Sequence, residues 1–323
     1  MSQLDFALPE LPYDDWEPTK AAVHLIAQIM GKVKLALHPK HPHWWHATLR
    51  VATRGITTGT IPVGDRNLEL LLDIRALEME LTTSEGVHRR ISLQDRSISD
   101  IHTSVTDALA QAGHPVNLLA KPYDMPHSDV PFPKDLTARN CDISAIERWW
   151  HVMRFVHDVF ETFAGRSYAR TSPVQLFWHS FDFVVTRFTG RRAPGHGQGD
   201  RRSDVEAYSH EVVSFGFWPG DPNTRFPGFY SYTAPEPEGL ADKPLRPTEA
   251  WWQELPTSHL AMLKYDDVRA ADDPRETLLA FLQSAWEAGA SLAAVQDLDG
   301  LSPVPLWDEL DERFPKTKGR ERR

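Results

Sequence analysis

The sequence predicts an α+β fold made by internal duplication, each half running helix, four antiparallel strands, helix. Three observations carry this. The stretch Ser172–Pro194, SPVQLFWHSFDFVVTRFTGRRAP, is filled with aromatic and β-branched residues suited to a pleated, half-buried surface. The stretch His41–Thr57, HPHWWHATLRVATRGIT, echoes it: Trp45-His46 and Thr53-Arg54 fall on Trp178-His179 and Thr186-Arg187 at a constant offset of 133 residues. At the same offset Trp16 falls on Trp149, Val23 on Val156, His24 on His157, Ala36 on Ala169 and Val51 on Val184. These nine identities compare with roughly two or three expected from average residue usage. Finally, helix-like and strand-like segments recur in the same order in both halves. Such halves pack most simply as a pseudo-twofold pair, their sheets joined edge to edge in a curved platform or facing each other as a sandwich. The element order resembles the platform of TATA-binding-protein-like folds, a likeness that implies no function.

Taken in order, residues 1–14 form an arm and 15–121 the first half. Its helix runs from Trp16 to Met30, with Pro18 tolerated in the first turn. Trp44–Gly55, Asn67–Ile74, Leu77–Thr83 and His88–Leu93 read as strands, with a turn at Ser84-Glu85-Gly86. Ser97 caps a helix that ends at Gly113. Val116–Leu119 reads as a short strand. Residues 122–142, with four prolines and no period, form a linker. In the second half, 143–295, helix Ile143–Gly165 precedes strands Phe177–Phe188, Glu206–Phe217, Gly228–Thr233 and Leu260–Tyr265, and helix Asp273–Leu292 closes it. Residues 296–323 are a tail ending in a basic, solvated run. His24 and His157, amid apolar residues of the two leading helices, are expected as core histidines.

A chain of 323 residues, 41% hydrophobic and 25% charged, can bury one large or two medium cores. A net charge of −10 argues against nucleic acid as the partner. The single Cys141 excludes an internal disulfide and fits a reducing cytoplasm. The acidic, Pro-containing start reads as no signal peptide, and no apolar run approaches the roughly 20 residues of a membrane helix. The expected partner is therefore a small molecule, with no nucleic acid and no membrane. The oligomeric state stays open.

The motif of residues 172–194, followed by EAYSHEVVSFGFWPGD and PGFYSYTAPEPEG, and preceded by WEPTKAAVHLIAQIMGKVKLAL and HWWHATLRVATRGITTGTIP, resembles the bacterial DUF5996 family over about residues 12–295. That family is a domain of unknown function, so the resemblance implies no activity.

Candidate chemistry lies mainly in the second half. Ser209-His210-Glu211 interrupts an apolar strand, and alternation sends His210 and Glu211 to opposite faces. His210, beside Tyr208, suits a general base; Glu211, among aromatics, suits a neutral acid or an arginine's partner. Arg187 and Glu211 are expected to face one side of neighbouring strands and to be bridged, because a buried pair that loses one member costs about 3–5 kcal/mol. Asp182 shares the opposite face with Trp178. The candidate catalytic residues are thus His210, Glu211 and Asp182. The candidate ligand-binding residues are Trp178, Arg187, Arg191 and Trp218, with Arg54 and His46 as first-half counterparts. The Gly-rich basic stretch 189–200 lacks a Walker lysine and reads as a loop. His38, His41, His43 and His46 crowd a Pro-containing loop with no zinc spacing, and no metal or cofactor is assigned. Two functions fit: a small-molecule-binding enzyme with a Trp/His/Arg/Glu pocket in the second half, or a non-catalytic sensor or scaffold that binds a partner on its sheet.

Overall fold

The computed structural model describes residues 7–125, 129–193 and 202–292. The first half runs α1 (Tyr13–Leu37), β1 (Arg50–Val51), β2 (Gly55–Thr57), β3 (Ile61–Val63), β4 (Arg66–Asp73), β5 (Glu78–Thr83), β6 (His88–Ser92), β7 (Arg96–Ser97) and α2 (Ile98–Gln111). A connecting strand, β8 (Ala138–Arg139), pairs with β7. The second half runs α3 (Ile143–Gly165), β9 (Gln175–Phe177), β10 (Asp182–Arg192), α4 (Arg202–Ala207), β11 (His210–Trp218), β12 (Gly228–Ala234), β13 (Trp251–Glu254), β14 (His259–Lys264), α5 (Tyr265–Arg269) and α6 (Pro274–Leu292). The fold is α+β. One antiparallel sheet has the order β1-β2-β4-β5-β6, with β3 on β4; the other has the order β13-β14-β12-β11-β10-β9. Their edges meet at an antiparallel bridge, Leu49 to Leu176, with backbone bonds of 2.9 and 3.0 Å.

The predicted strands β4, β5, β6, β12 and β14 and helices α2, α3 and α6 form within one or two residues of their expected bounds. Ser97 caps α2 by accepting from the Asp100 N–H at 3.1 Å. Helix α1 extends at both ends beyond Trp16–Met30, since Lys32 and Lys34 continue it with their stems buried.

Four expectations are corrected. Phe177–Phe188 is not one strand: Trp178–Phe181 make a turn that folds β10 back on β9, with Asp182 opposite Phe177. Trp44–Gly55 is broken by Pro42 and by left-handed backbone at His43 and Trp44, leaving β1 only two residues. Val116–Leu119 is irregular, and strand two begins at His210 because Arg202–Ala207 coil into α4. The residues between the two halves pack on the fold. Phe132 is fully buried, and the Gln28 amide on α1 makes two 2.8 Å bonds to the Tyr123 backbone. Strand β13 went unpredicted. The basic tail and the outer part of the Gly-rich stretch lie outside the described residues.

The sheet of the second half has two unlike faces. Its back carries Phe183, Val185, Phe215 and Phe217 against α3 and α6, with Phe160 stacked on Phe183 and Phe163 edge-on to Phe215. Arg187 lies there too, 0% exposed, its guanidinium 3.5 Å from the Phe163 ring centre and 5.1 Å from that of Trp286. It donates once, from Nη2 to the Phe163 carbonyl; Nε and Nη1 have no partner among the described residues. Burial draws its pKa down to about 9. The expected bridge to Glu211 is not made. Glu211 accepts instead from Arg191 Nε at 2.9 Å and Thr189 Oγ1 at 2.8 Å, because the register shifts between Phe188 and Arg192.

Arg187 therefore gives a clean test. Replacing it with Met keeps the stem packing and removes an uncompensated buried charge, so Arg187→Met should lie within about 1 kcal/mol of the parent or above it. Arg187→Ala should lose about 2–5 kcal/mol by opening a cavity. Urea unfolding of both variants decides; a Met variant as unstable as the Ala variant would mean that the charge itself is stabilising.

Candidate functional site

The front of the same sheet, together with the end of α1, residues 43–48 and residues 117–124, lines a half-open cavity of about 860 Å³. Its floor follows from strand register. Val184, Gly216 and Tyr230 are direct neighbours across β10, β11 and β12, and Thr186, Ser214 and Tyr232 form the next row. Gly216 is required here: any Cβ would fall inside the Tyr230 ring, which lies flat across β11 and reaches β10. There the Tyr230 hydroxyl donates to Asp182 Oδ2, while the Ser180 hydroxyl donates to Asp182 Oδ1. The Tyr230 and Tyr232 rings lie parallel, 6.3 Å apart. The Tyr232 and Tyr208 hydroxyls are 3.0 Å apart, and Thr186 Oγ1 is 2.9 Å from Ser214 Oγ. Burial raises the pKa of Tyr230 and Tyr232 well above the ordinary tyrosine value, aided by the Asp182 charge beside Tyr230. Both stay protonated and act as neutral hydrogen-bonding groups.

The walls are apolar, with Trp44, Trp45, Phe177, Trp178 and Phe188 prominent. Arg170 covers the Trp45 ring at 5.0 Å, and Lys32 covers Trp178 at 5.3 Å. Desolvation draws Lys32 down to about 8. A second cavity, about 400 Å³, shares Asp124, Ser180, Asp182, Trp218 and Tyr230 with the first. It is closed by Tyr13, Glu17, Lys20 and His24 of α1 and by Asp221. Lys20, drawn down to about 8 by burial, donates to the Gly220 carbonyl and lies over the Tyr13 ring at 5.2 Å.

Of the residues expected from sequence, Trp178, Asp182 and Trp218 line the cavities. His210 stands just behind the wall, its ring 5.5 Å from that of His43, which does line the large cavity. His46 is buried, accepts from the His41 N–H at 3.2 Å and neighbours the Trp44 ring at 5.3 Å, but does not line the cavity. Glu211 and Arg191 form an ion pair away from it. Arg187 faces the opposite layer. Arg54, at a bend between β1 and β2, binds Asp73 at 2.7 Å and Glu80 in the other sheet. The tyrosines were missed, although Tyr208, Tyr230 and Tyr232 share the even-numbered parity of Asp182, and Gly216 between them was the signal for a crossing ring. Among the described residues no three His, Cys, Asp or Glu side chains converge as a metal site.

The two leading-helix histidines part company. His157 is half-exposed and 3.6 Å from Glu161, so it is not a core histidine. His24 is buried, with Nε2 placed to donate to the carbonyls of Trp178 at 2.9 Å and His179 at 3.1 Å, and its ring stacks on Phe181 at 4.9 Å.

A model of the family of unknown function DUF5996 matches residues 8–299. The chain belongs to the DUF5996 family. No curated protein and no solved structure matches it. No helix among the described residues of this DUF5996 chain is long and apolar enough to cross a membrane.

Burial pushes His24 down to about 3, so the folded state keeps it neutral while the unfolded chain protonates it near 6.5. Its contribution is therefore intact above pH 6.5 and is lost as pH falls towards 3. Between pH 7 and 4.5 this amounts to about 2–3 kcal/mol. Urea unfolding at both pH values should show a drop smaller by about that amount in His24→Gln. An unchanged drop would refute the buried, neutral assignment.

Proposed function

We propose that this protein binds a small organic molecule with a flat apolar body in the large cavity, its polar end on the hydroxyl and carboxylate floor. One observation carries the reading: a half-open cavity of about 860 Å³ with aromatic walls and a few convergent polar groups. That is the size and character of a ligand site rather than of a surface for a macromolecular partner, since such sites run about 300–1,000 Å³. In this reading Asp182, Trp178 and Trp218 are ligand-contacting residues and His210 supports His43. Glu211, Arg191, Arg187 and Arg54 hold the fold. We also infer the internal duplication, supported by the common helix–strands–helix order and by the direct stacking of its equivalent Trp16 and Trp149, 6.1 Å apart. One pair differs in setting: Arg54 lies at a bend and Arg187 within β10.

The test is a fluorescence titration with N-phenyl-1-naphthylamine, neutral at pH 7. Saturable one-to-one binding is expected. Val184 is buried and faces the cavity. Val184→Trp should fill the space and weaken binding by at least about tenfold, the loss of about 1.4 kcal/mol, with an unchanged circular dichroism spectrum. Absence of saturable binding, or equal affinity in the folded variant, would refute the proposal.

A further inference from the structure

Both cavities meet at one small set of residues. Asp124, Ser180, Asp182, Trp218 and Tyr230 line each of them. This junction therefore combines two carboxylates with two aromatic rings. Resting on the reading of the large cavity as a small-molecule site, we infer that the ligand carries a positively charged nitrogen, an ammonium or a substituted ammonium, which sits at this junction against Asp182.

The charge balance agrees. Among the described residues lining the two spaces, the carboxylates are Glu17, Asp124, Asp182, Asp204 and Asp221, against two lysines, Lys20 and Lys32, and no arginine. Lys20 is engaged with the Gly220 carbonyl and the nearby Glu17 and Asp221 charges. The Lys32 ammonium lies over the Trp178 and Phe132 rings at 5.3 and 6.0 Å. Of the lining histidines, His24 and His43 are both depressed by burial, and His179 stands 3.7 Å from the Asp124 carboxylate. An anionic ligand would meet an excess of like charge. A cation would be attracted to the carboxylates and to the ring faces alike.

Asp182 can do this without giving up its own bonds. Its two oxygens each accept one hydroxyl, from Ser180 and from Tyr230, and an ionised carboxylate offers about four lone-pair positions. The bonds from Ser180 and Tyr230 fix the carboxylate, so no side-chain reordering is needed when a cation arrives. Trp218, at the end of β11, and Tyr230, held flat over Gly216, both supply ring surface at the junction. The large cavity then takes the apolar body, and the smaller one takes whatever substituent the nitrogen carries.

The experiment compares three probes of one shape by isothermal titration at pH 7: 2-naphthylmethylamine, 2-naphthylmethanol and 2-naphthoate. The amine should bind roughly ten- to a hundredfold tighter than the alcohol, the range for a hydrogen bond to a charged group, and the carboxylate should bind weakest. Asp182→Asn removes the charge and keeps one acceptor oxygen, so that one of the two hydroxyls must turn to accept from the amide; it should abolish the preference for the amine over the alcohol. If the alcohol binds as well as the amine, if the carboxylate binds best, or if Asp182→Asn keeps the preference, the charge assignment is wrong while the cavity reading survives. If none of the three binds, both fall. The wild-type ranking decides the matter even where the variant folds poorly.

Discussion

The structure depends on how the turn Trp178–Phe181 is held against α1. A four-residue turn that ends with Phe181 in the left-handed region costs about 1–2 kcal/mol, and something must hold it there. Three contacts do. His24 donates to the carbonyls of Trp178 and His179, which would otherwise be buried unpaired. Phe181 is sandwiched between His24 at 4.9 Å and Trp149 at 5.3 Å, and Trp149 continues the stack to Trp16. Trp178 lies on Gly31 of α1, where no Cβ would fit, and its indole N–H donates to the Ala47 carbonyl at 2.8 Å. Residues of both halves thus clamp one turn. Helix α1, which belongs to the first half in sequence, becomes a wall of the second half's cavity.

The cavity follows from that clamp. With the back of the sheet filled by α3 and α6, the front is covered by the end of α1, the segment through Trp44 and Trp45, residues 117–124 and α4. The space between is too large for side chains to close, and its floor is polar because β10, β11 and β12 place Asp182, Ser214 and the tyrosines on one parity. A buried hydroxyl without a partner costs free energy, so the floor groups pair with one another. Arg187 on the other face obeys a different logic. It survives as a largely unpaired cation because its plane packs on Phe163 and Trp286.

Much of this was legible in the residues. The class of fold, most strands and helices, and the alternation that separates Asp182 from Arg187 follow from periodicity and composition. What failed were contacts set by tertiary structure. No local signal says that Phe181 will take a positive φ, since only its stacking partners from two helices hold it there, and the resulting turn splits a run that reads as continuous strand. The Arg187–Glu211 bridge failed because a register shift near Gly190 hands Glu211 to Arg191. His157 is half-exposed where His24 is buried, because the turn Trp178–Phe181 lies over His24. The tyrosine floor depends on strand register: pairing of β10, β11 and β12 gathers Thr186, Ser214, Tyr230 and Tyr232 on one face, and no single strand shows this alone.

The central claim is that the junction beside Asp182 is where a ligand's charged nitrogen is held, with its apolar body among the tryptophans. A crystal structure of the full chain with 2-naphthylmethylamine tests it most directly. The account predicts the nitrogen at charge-assisted hydrogen-bond distance from the Asp182 carboxylate, about 2.7–2.9 Å, and the naphthyl ring inside the large cavity. A ring bound elsewhere, or a nitrogen turned away from Asp182 within the cavity, would contradict it.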